Sequence, residues 1–137
     1  MPDVLTPEQR YRCMSAILAK DTRPELTVRR IIHSLGYRYR LHNSTLPGKP
    51  DLVFPGRRKV IFVHGCFWHR HSCRKGRSVP STRQAFWAKK LQDNQTRGQR
   101  QVRDLRRLGW EAFVVWQCQL SQSRLPRLIE RIVEYLE

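Results

Sequence analysis

The feature that most constrains this chain is a ten-residue run, His64-Gly-Cys-Phe-Trp-His-Arg-His-Ser-Cys73. It holds three of the five histidines and two of the four cysteines, with the Phe67-Trp68 pair between them. Aliphatic side chains fill a core efficiently, whereas imidazoles beside thiols leave polar atoms to satisfy. Any fold open to this chain must therefore present the run as a loop where metal ligands, stacking rings and acid–base groups stand together.

Cys66, His71 and Cys73 lie within eight residues, and Cys118 follows the strand-like segment Glu111 to Trp116. Four thiolate and imidazole ligands suit tetrahedral zinc in a structural site with no open position. The spacing Cys66-x4-His71-x-Cys73 is tighter than that of a zinc finger. It predicts an irregular loop pinned to the end of a strand remote in sequence. Taken alone, Cys118 reads equally well as a buried core cysteine. Cys13 is read as a small buried residue on the first helix.

The 137 residues suit a single domain spanning 1–137, with room for a continuous core. Lys and Arg are spread along the chain and give a net charge of +16, which selects a polyanion as partner. The final helix carries Glu130, Glu134 and Glu137, which argues against a basic membrane-surface amphipath. A ribosomal type of protein is the plainer polyanion binder, but four tryptophans are unusual for one. No apolar run reaches the ~20 residues of a membrane span and the N-terminus has no signal-peptide core. The chain is thus expected in the cytoplasm, where cysteines stay reduced and available to metal.

A helix is predicted after Thr6, over about 6–19, with Pro7 in its first turn. A second starts at Thr22, where Thr22-Arg-Pro-Glu25 has capping-box spacing, and stops at Gly36. Tyr37 to Leu41 alternates like a strand. Leu52 to Phe54, a Pro55-Gly56 turn, and Val60 to Val63 read as a hairpin. A long, mostly polar helix covers roughly Thr82 to Leu108 and is ended by Gly109. The strand Glu111 to Trp116 and an amphipathic last helix through Leu125, Leu128, Ile132 and Leu136 follow. The order ααβββαβα predicts an α/β fold with a central mixed sheet flanked by helices. The early strands would form a meander, and the last would join through the long helix.

Pro50-Asp51 opens one strand of the hairpin, and Phe62-Val63-His64 ends the other. This arrangement resembles the PD-(D/E)xK nuclease core, with Phe62 at the second-acid position and His64 at the lysine position. Asp51 can supply a hard oxygen ligand to magnesium, and a backbone carbonyl near Val63 a second. His64 and His69 are the candidates for proton transfer. His33 and His42 stand outside any constellation and are read as surface or partly buried side chains.

Pro47-Gly-Lys-Pro-Asp51, Phe62-Val-His-Gly-Cys-Phe-Trp-His69, Phe86-Trp87, and Gly109-Trp with Val115-Trp-Gln-Cys118 together resemble the very short patch repair (Vsr) endonucleases. The similarity runs from about Met14 to Cys118. It implies a restriction-endonuclease-like three-layer fold, and nicking 5′ to the T of a T:G mismatch left by deamination of 5-methylcytosine. Asp51, with the Val63 carbonyl, would hold Mg2+; His69 would be the base, His64 would assist at the phosphate, and Glu25 would act through the ion's water shell. Cys66, His71, Cys73 and Cys118 would bind Zn2+. Phe67, Trp68 and Trp87 would wedge into the base stack, and Met14 would enter from the opposite groove on a DNA-contacting N-terminal arm. The resemblance further implies a place in the bacterial cytoplasm, associated with the nucleoid, and, since no long apolar heptad demands a dimer, a monomer is expected. Its partners would be mismatched duplex DNA and mismatch-repair proteins.

Residue by residue, plainer readings stand beside these. Capping alone accounts for Glu25, core packing for Met14, and burial for Phe67 and Trp68. Arg70, Arg74, Lys75 and Arg77 are either a solvated face or phosphate contacts. The chain departs from the family at Val63, where Thr is common, at Gln117, where an acid precedes the last cysteine, and at Gly98. There the family reads Asp, whose carboxylate would orient the catalytic histidine. Gly98 supports an alternative function, that of a catalytically weakened, zinc-stabilised protein binding a DNA lesion or sequence.

Overall fold

The computed structural model describes residues 22–137. Helix α1 (Arg23–Ser34) is followed by strands β1 (Arg40–Leu41), β2 (Leu52–Phe54) and β3 (Lys59–His64). Helix α2 (Gln84–Arg107), strand β4 (Glu111–Trp116) and helix α3 (Leu125–Leu136) complete the order. The expected first helix, with Cys13 and Met14, lies outside the described residues.

Local signals account for the helix ends. The Thr22 hydroxyl accepts from the Glu25 backbone N–H, and Pro24 follows in the first turn, where its missing N–H costs nothing. Both α1 and α2 end in the same motif. Gly36 (φ +93°) donates to His33 and Tyr37 to Ile32; Gly109 (φ +86°) donates to Arg106 and Trp110 to Leu105. A side chain would strain either glycine in this left-handed conformation. The α3 C-terminus takes two cations, Arg57 on the Leu136 carbonyl at 2.7 Å and Lys59 on that of Tyr135 at 2.5 Å.

The four strands form one sheet in the order β1-β2-β3-β4. β1, β2 and β3 pair antiparallel, and β4 joins β3 in parallel through the α2 crossover. Period-2 alternation sends Leu52, Phe54, Ile61 and Val115 to one face, where α1 and α3 bring Val28, Ile32, Leu128, Ile132 and Leu136. Val53, Val60 and Phe62 point to the other face and meet Leu105 of α2. The result is a mixed α/β sheet covered by helices on both sides, as expected.

One expected element is shorter. The segment Tyr37 to Leu41 pairs only at Arg40 and Leu41. Tyr37 is still committed to the cap of α1, and Tyr37 and Tyr39 pack against the core cluster of the α1 and α3 face.

Ile61 is fully buried at the sheet centre, whereas Leu108 is 54% exposed. Ile61→Ala is expected to lower unfolding free energy by about 2–5 kcal/mol in urea titration, and Leu108→Ala by less than about 0.5. Equal effects would contradict this assignment of the core.

Candidate active site and metal centre

Antiparallel pairing brings the start of β2 beside the end of β3. Asp51 therefore stands at the sheet edge, where its Oδ2 accepts the Val63 backbone N–H at 2.7 Å. Glu25, one turn into α1 and only 2% exposed, reaches the same place. Its Oε2 accepts from Arg29 Nη2 at 2.9 Å, its Oε1 lies 2.7 Å from His42 Nε2, and it is hydrogen-bonded to Asp51. Capping through the backbone and site contacts through the carboxylate thus coexist in one residue.

The two carboxyls cannot both ionise cheaply. Burial first, then the hydrogen bond and charge of Glu25, push Asp51 up to about 8. Burial opposes ionisation of Glu25 as well, but its hydrogen bonds to Asp51 and His42 and the charge of Arg29 hold it below the usual carboxylate range. The pair binds one proton near neutrality, a position that a cation could take instead.

His64 ends β3 and is 8% exposed. The chain then turns, with the His69 N–H donating to the Gly65 carbonyl at 3.2 Å, and the two imidazoles stack with centroids 3.8 Å apart and planes 3° apart. Burial, reinforced by the neighbouring ring, lowers His64 to about 3. Burial and the charge of Arg97 lower His69 to about 4. Both rings are therefore neutral at physiological pH, as a proton acceptor must be. Their Nδ1 atoms are buried and have no hydrogen-bond partner among the described residues. Gly98, buried on α2, faces them: a Cβ there would lie 3.5 Å from His69 Nδ1 and 3.8 Å from His64 Cε1.

Glu25, Asp51, His64, His69 and Gly98 all line one cleft of about 650 Å³, together with Val63, Phe67 and Trp68. Lys49, Lys75 and Arg97 add positive charge to its walls. The aromatic residues form a cluster: the Phe67 and Trp68 rings meet edge-on at 5.1 Å, and Trp87 lies 6.4 Å and 6.3 Å from them. Trp87 is 6% exposed, more deeply buried than the half-buried Phe67 and Trp68 against which it packs.

Cys66, His71, Cys73 and Cys118 converge, with one ligand atom from each within 4.8 Å of the others. All three cysteines are free thiols. Bound at about 2.3 Å each, thiolates on a tetrahedral ion lie roughly 3.8 Å apart, so this donor set fits zinc with small adjustments. Close packing helps to shape the loop, since a Cβ on Gly76 would fall 1.9 Å from the His71 carbonyl oxygen. Trp116 stacks on His71 at 4.3 Å and presents an edge to His64 at 5.3 Å. One indole thus connects the thiol cluster to the histidine pair.

His42 corrects an expectation. It is a member of the carboxylate cluster and not an isolated side chain. The signal that finds it is strand register: Leu41 pairs with Leu52, so the next position along each strand sets His42 against Asp51. His33 is exposed, as expected. No described helix is long and apolar enough to cross a membrane.

The family model for DNA mismatch endonuclease Vsr matches residues 2–75. A type II nicking enzyme, V.XorIIP of Xanthomonas oryzae pv. oryzae, is 52% identical over 135 residues, covering 95% of this chain and 98% of the relative. DNA mismatch endonuclease Vsr of Escherichia coli is 39% identical over 139 residues, covering 99% of this chain and 88% of the relative. A further type II nicking enzyme, V.NmeAIP of Neisseria meningitidis, is 37% identical over 137 residues, covering 96% and 97%. By the family model and by these relatives along nearly its whole length, the chain belongs to the Vsr family of DNA mismatch endonucleases.

Proposed function

We propose that the protein nicks one strand of duplex DNA 5′ to the T of a T:G mismatch arising from deamination of 5-methylcytosine, with magnesium as cofactor. The observation that carries this reading is the convergence of Asp51, Glu25, His64 and His69 in one cleft beside Phe67 and Trp68. The Asp51 carboxylate and the Val63 carbonyl would hold a hard divalent cation, and Glu25 would act through the ion's water shell. Magnesium bound there supplies charge to polarise the phosphodiester and to stabilise the leaving oxygen.

The chain's own groups do the rest. His69, neutral, takes the proton of the attacking water at Nε2. His64, stacked on it, hydrogen-bonds the phosphate and restricts the ring's orientation. Phe67 and Trp68 enter the base stack beside the mismatch, where unstacking costs less than in an intact duplex. Trp87, whose ring packs against both, completes the wedge, and Met14 enters from the opposite groove. Zinc on Cys66, His71, Cys73 and Cys118 keeps the wedge and the histidines at a fixed separation. Lys49, Lys75 and Arg97 lie where phosphates would run, and a net charge of +16 draws the duplex in.

The direct test is nicking of a labelled duplex carrying one T:G pair, in magnesium or in EDTA. A single nick 5′ to the T is expected in magnesium. Its rate should fall by at least about a hundredfold in EDTA, Asp51→Ala or His69→Ala. Persistence in EDTA or in Asp51→Ala would overturn the mechanism. Absence of nicking across all flanking sequences would favour the binding-only alternative.

A second prediction comes from the helix opposite. Ordinary van der Waals space exists for a Cβ at position 98, directed at His69 Nδ1. Gly98→Asp should place an acceptor there, fix the Nδ1–H tautomer and raise the single-turnover rate by about tenfold or more. A variant that nicks no faster than the parent would show that this position does not limit the rate.

A further inference from the structure

Three metal-ligating side chains, Glu25, His42 and Asp51, converge where α1 meets the β1–β2 register, with one donor atom from each within 4.8 Å of the others, and Glu25 and Asp51 also line the cleft. Two of the three are carboxylates; the third is an imidazole, which brings different coordination chemistry. His42 leaves β1 with φ +48°, a left-handed conformation that is uncommon for a residue with a side chain. Its backbone N–H donates to the Asp51 carbonyl at 3.3 Å, which anchors the residue across from Asp51. Its Nε2 then points inward, 2.7 Å from Glu25 Oε1. A strained backbone that aims a donor atom into a buried acidic pair is characteristic of a functional position.

Spacing and charge both agree with a shared ion. In an octahedral shell at 2.0–2.1 Å, opposite ligands lie about 4.2 Å apart and adjacent ones roughly 3 Å, so donors already within 4.8 Å need little movement. Arg29 is the neighbouring cation, 2.9 Å from Glu25 Oε2 and 3.5 Å from His42 Nε2. It offsets one of the two carboxylates and leaves the other for an incoming positive charge.

We propose that His42, through Nε2, is a further protein ligand of the divalent ion at Asp51 and Glu25, so that this chain binds a first-row transition ion in preference to magnesium. The inference rests on the metal-dependent nuclease reading. Magnesium prefers an oxygen shell and gains little from an imidazole, whereas first-row transition ions accept mixed nitrogen and oxygen donors.

Manganese is the probe, added to zinc-loaded protein without DNA. One Mn2+ per chain is expected to bind, with a nitrogen coupling in pulsed electron paramagnetic resonance. Magnesium should displace it only at roughly tenfold or greater excess over the concentration expected for equal affinity. His42→Gln keeps an amide able to hydrogen-bond Glu25 but has no imidazole. It should lose the nitrogen coupling and the preference for Mn2+, as should His42→Ala, whereas His69→Ala should keep the coupling. Coupling that survives in both His42 variants, Mn2+ bound in the parent without nitrogen coupling, or no Mn2+ bound at all would each overturn the assignment. The nuclease reading falls separately, on nicking that persists in EDTA.

Discussion

The parallel pairing of β3 with β4 is the constraint on which the rest of the site depends. Its register sets His64 against Trp116, so both strands end at the same edge of the sheet. The loop after β3 and the short turn after β4 therefore leave from one place, and Cys118 reaches Cys66, His71 and Cys73 across 44 residues of intervening chain. No local preference could hold so polar and irregular a loop, because it has few apolar side chains to bury. On the proposed reading, thiol and imidazole ligands on a common ion would supply what the hydrophobic effect cannot there. Trp116 then carries the geometry inward, with one indole against His71 and against His64.

The other half of the site is built by antiparallel pairing and follows a different logic. Burying Glu25 beside Asp51 costs free energy that packing does not return, since an apolar pair of the same shape would be more stable. Arg29, His42 and the Val63 N–H offset part of that cost. The remainder is the state of preparation that a cation site needs: oxygen donors already dehydrated and held in place. The stacked, neutral imidazoles lie on the opposite flank of the same cleft. On the proposed reading, the cation site and the base are thus each positioned by a different strand pairing.

Much of this was legible in the residues. Helix ends were readable because Thr22, Pro24, Gly36 and Gly109 each act within their own turn. The β2–β3 hairpin, the crossover through α2 and the four thiol and imidazole ligands were readable for a similar reason, as spacing or alternation marks them directly. What escaped depends on tertiary neighbours. The strand expected at Tyr37 is cut short because the cap of α1 and the core already claim its first residues. His42 carries no motif and acquires its neighbours only through the β1–β2 register. At Gly98 the departure was visible as a residue type, but its setting, beside two buried Nδ1 atoms with no hydrogen-bond partner among the described residues, required the packing of α2 on the histidines.

The central claim is that the four-ligand centre holds the loop and so keeps the aromatic wedge and the histidines in register. Hydrogen exchange across residues 65–78, measured with zinc bound and after its removal by a chelator, tests this most directly. On this account the loop loses its protection when zinc is withdrawn, β2 and β3 keep theirs, and readdition of zinc restores the loop. Equal protection of the loop with and without the ion would contradict the claim and assign its shape to packing alone.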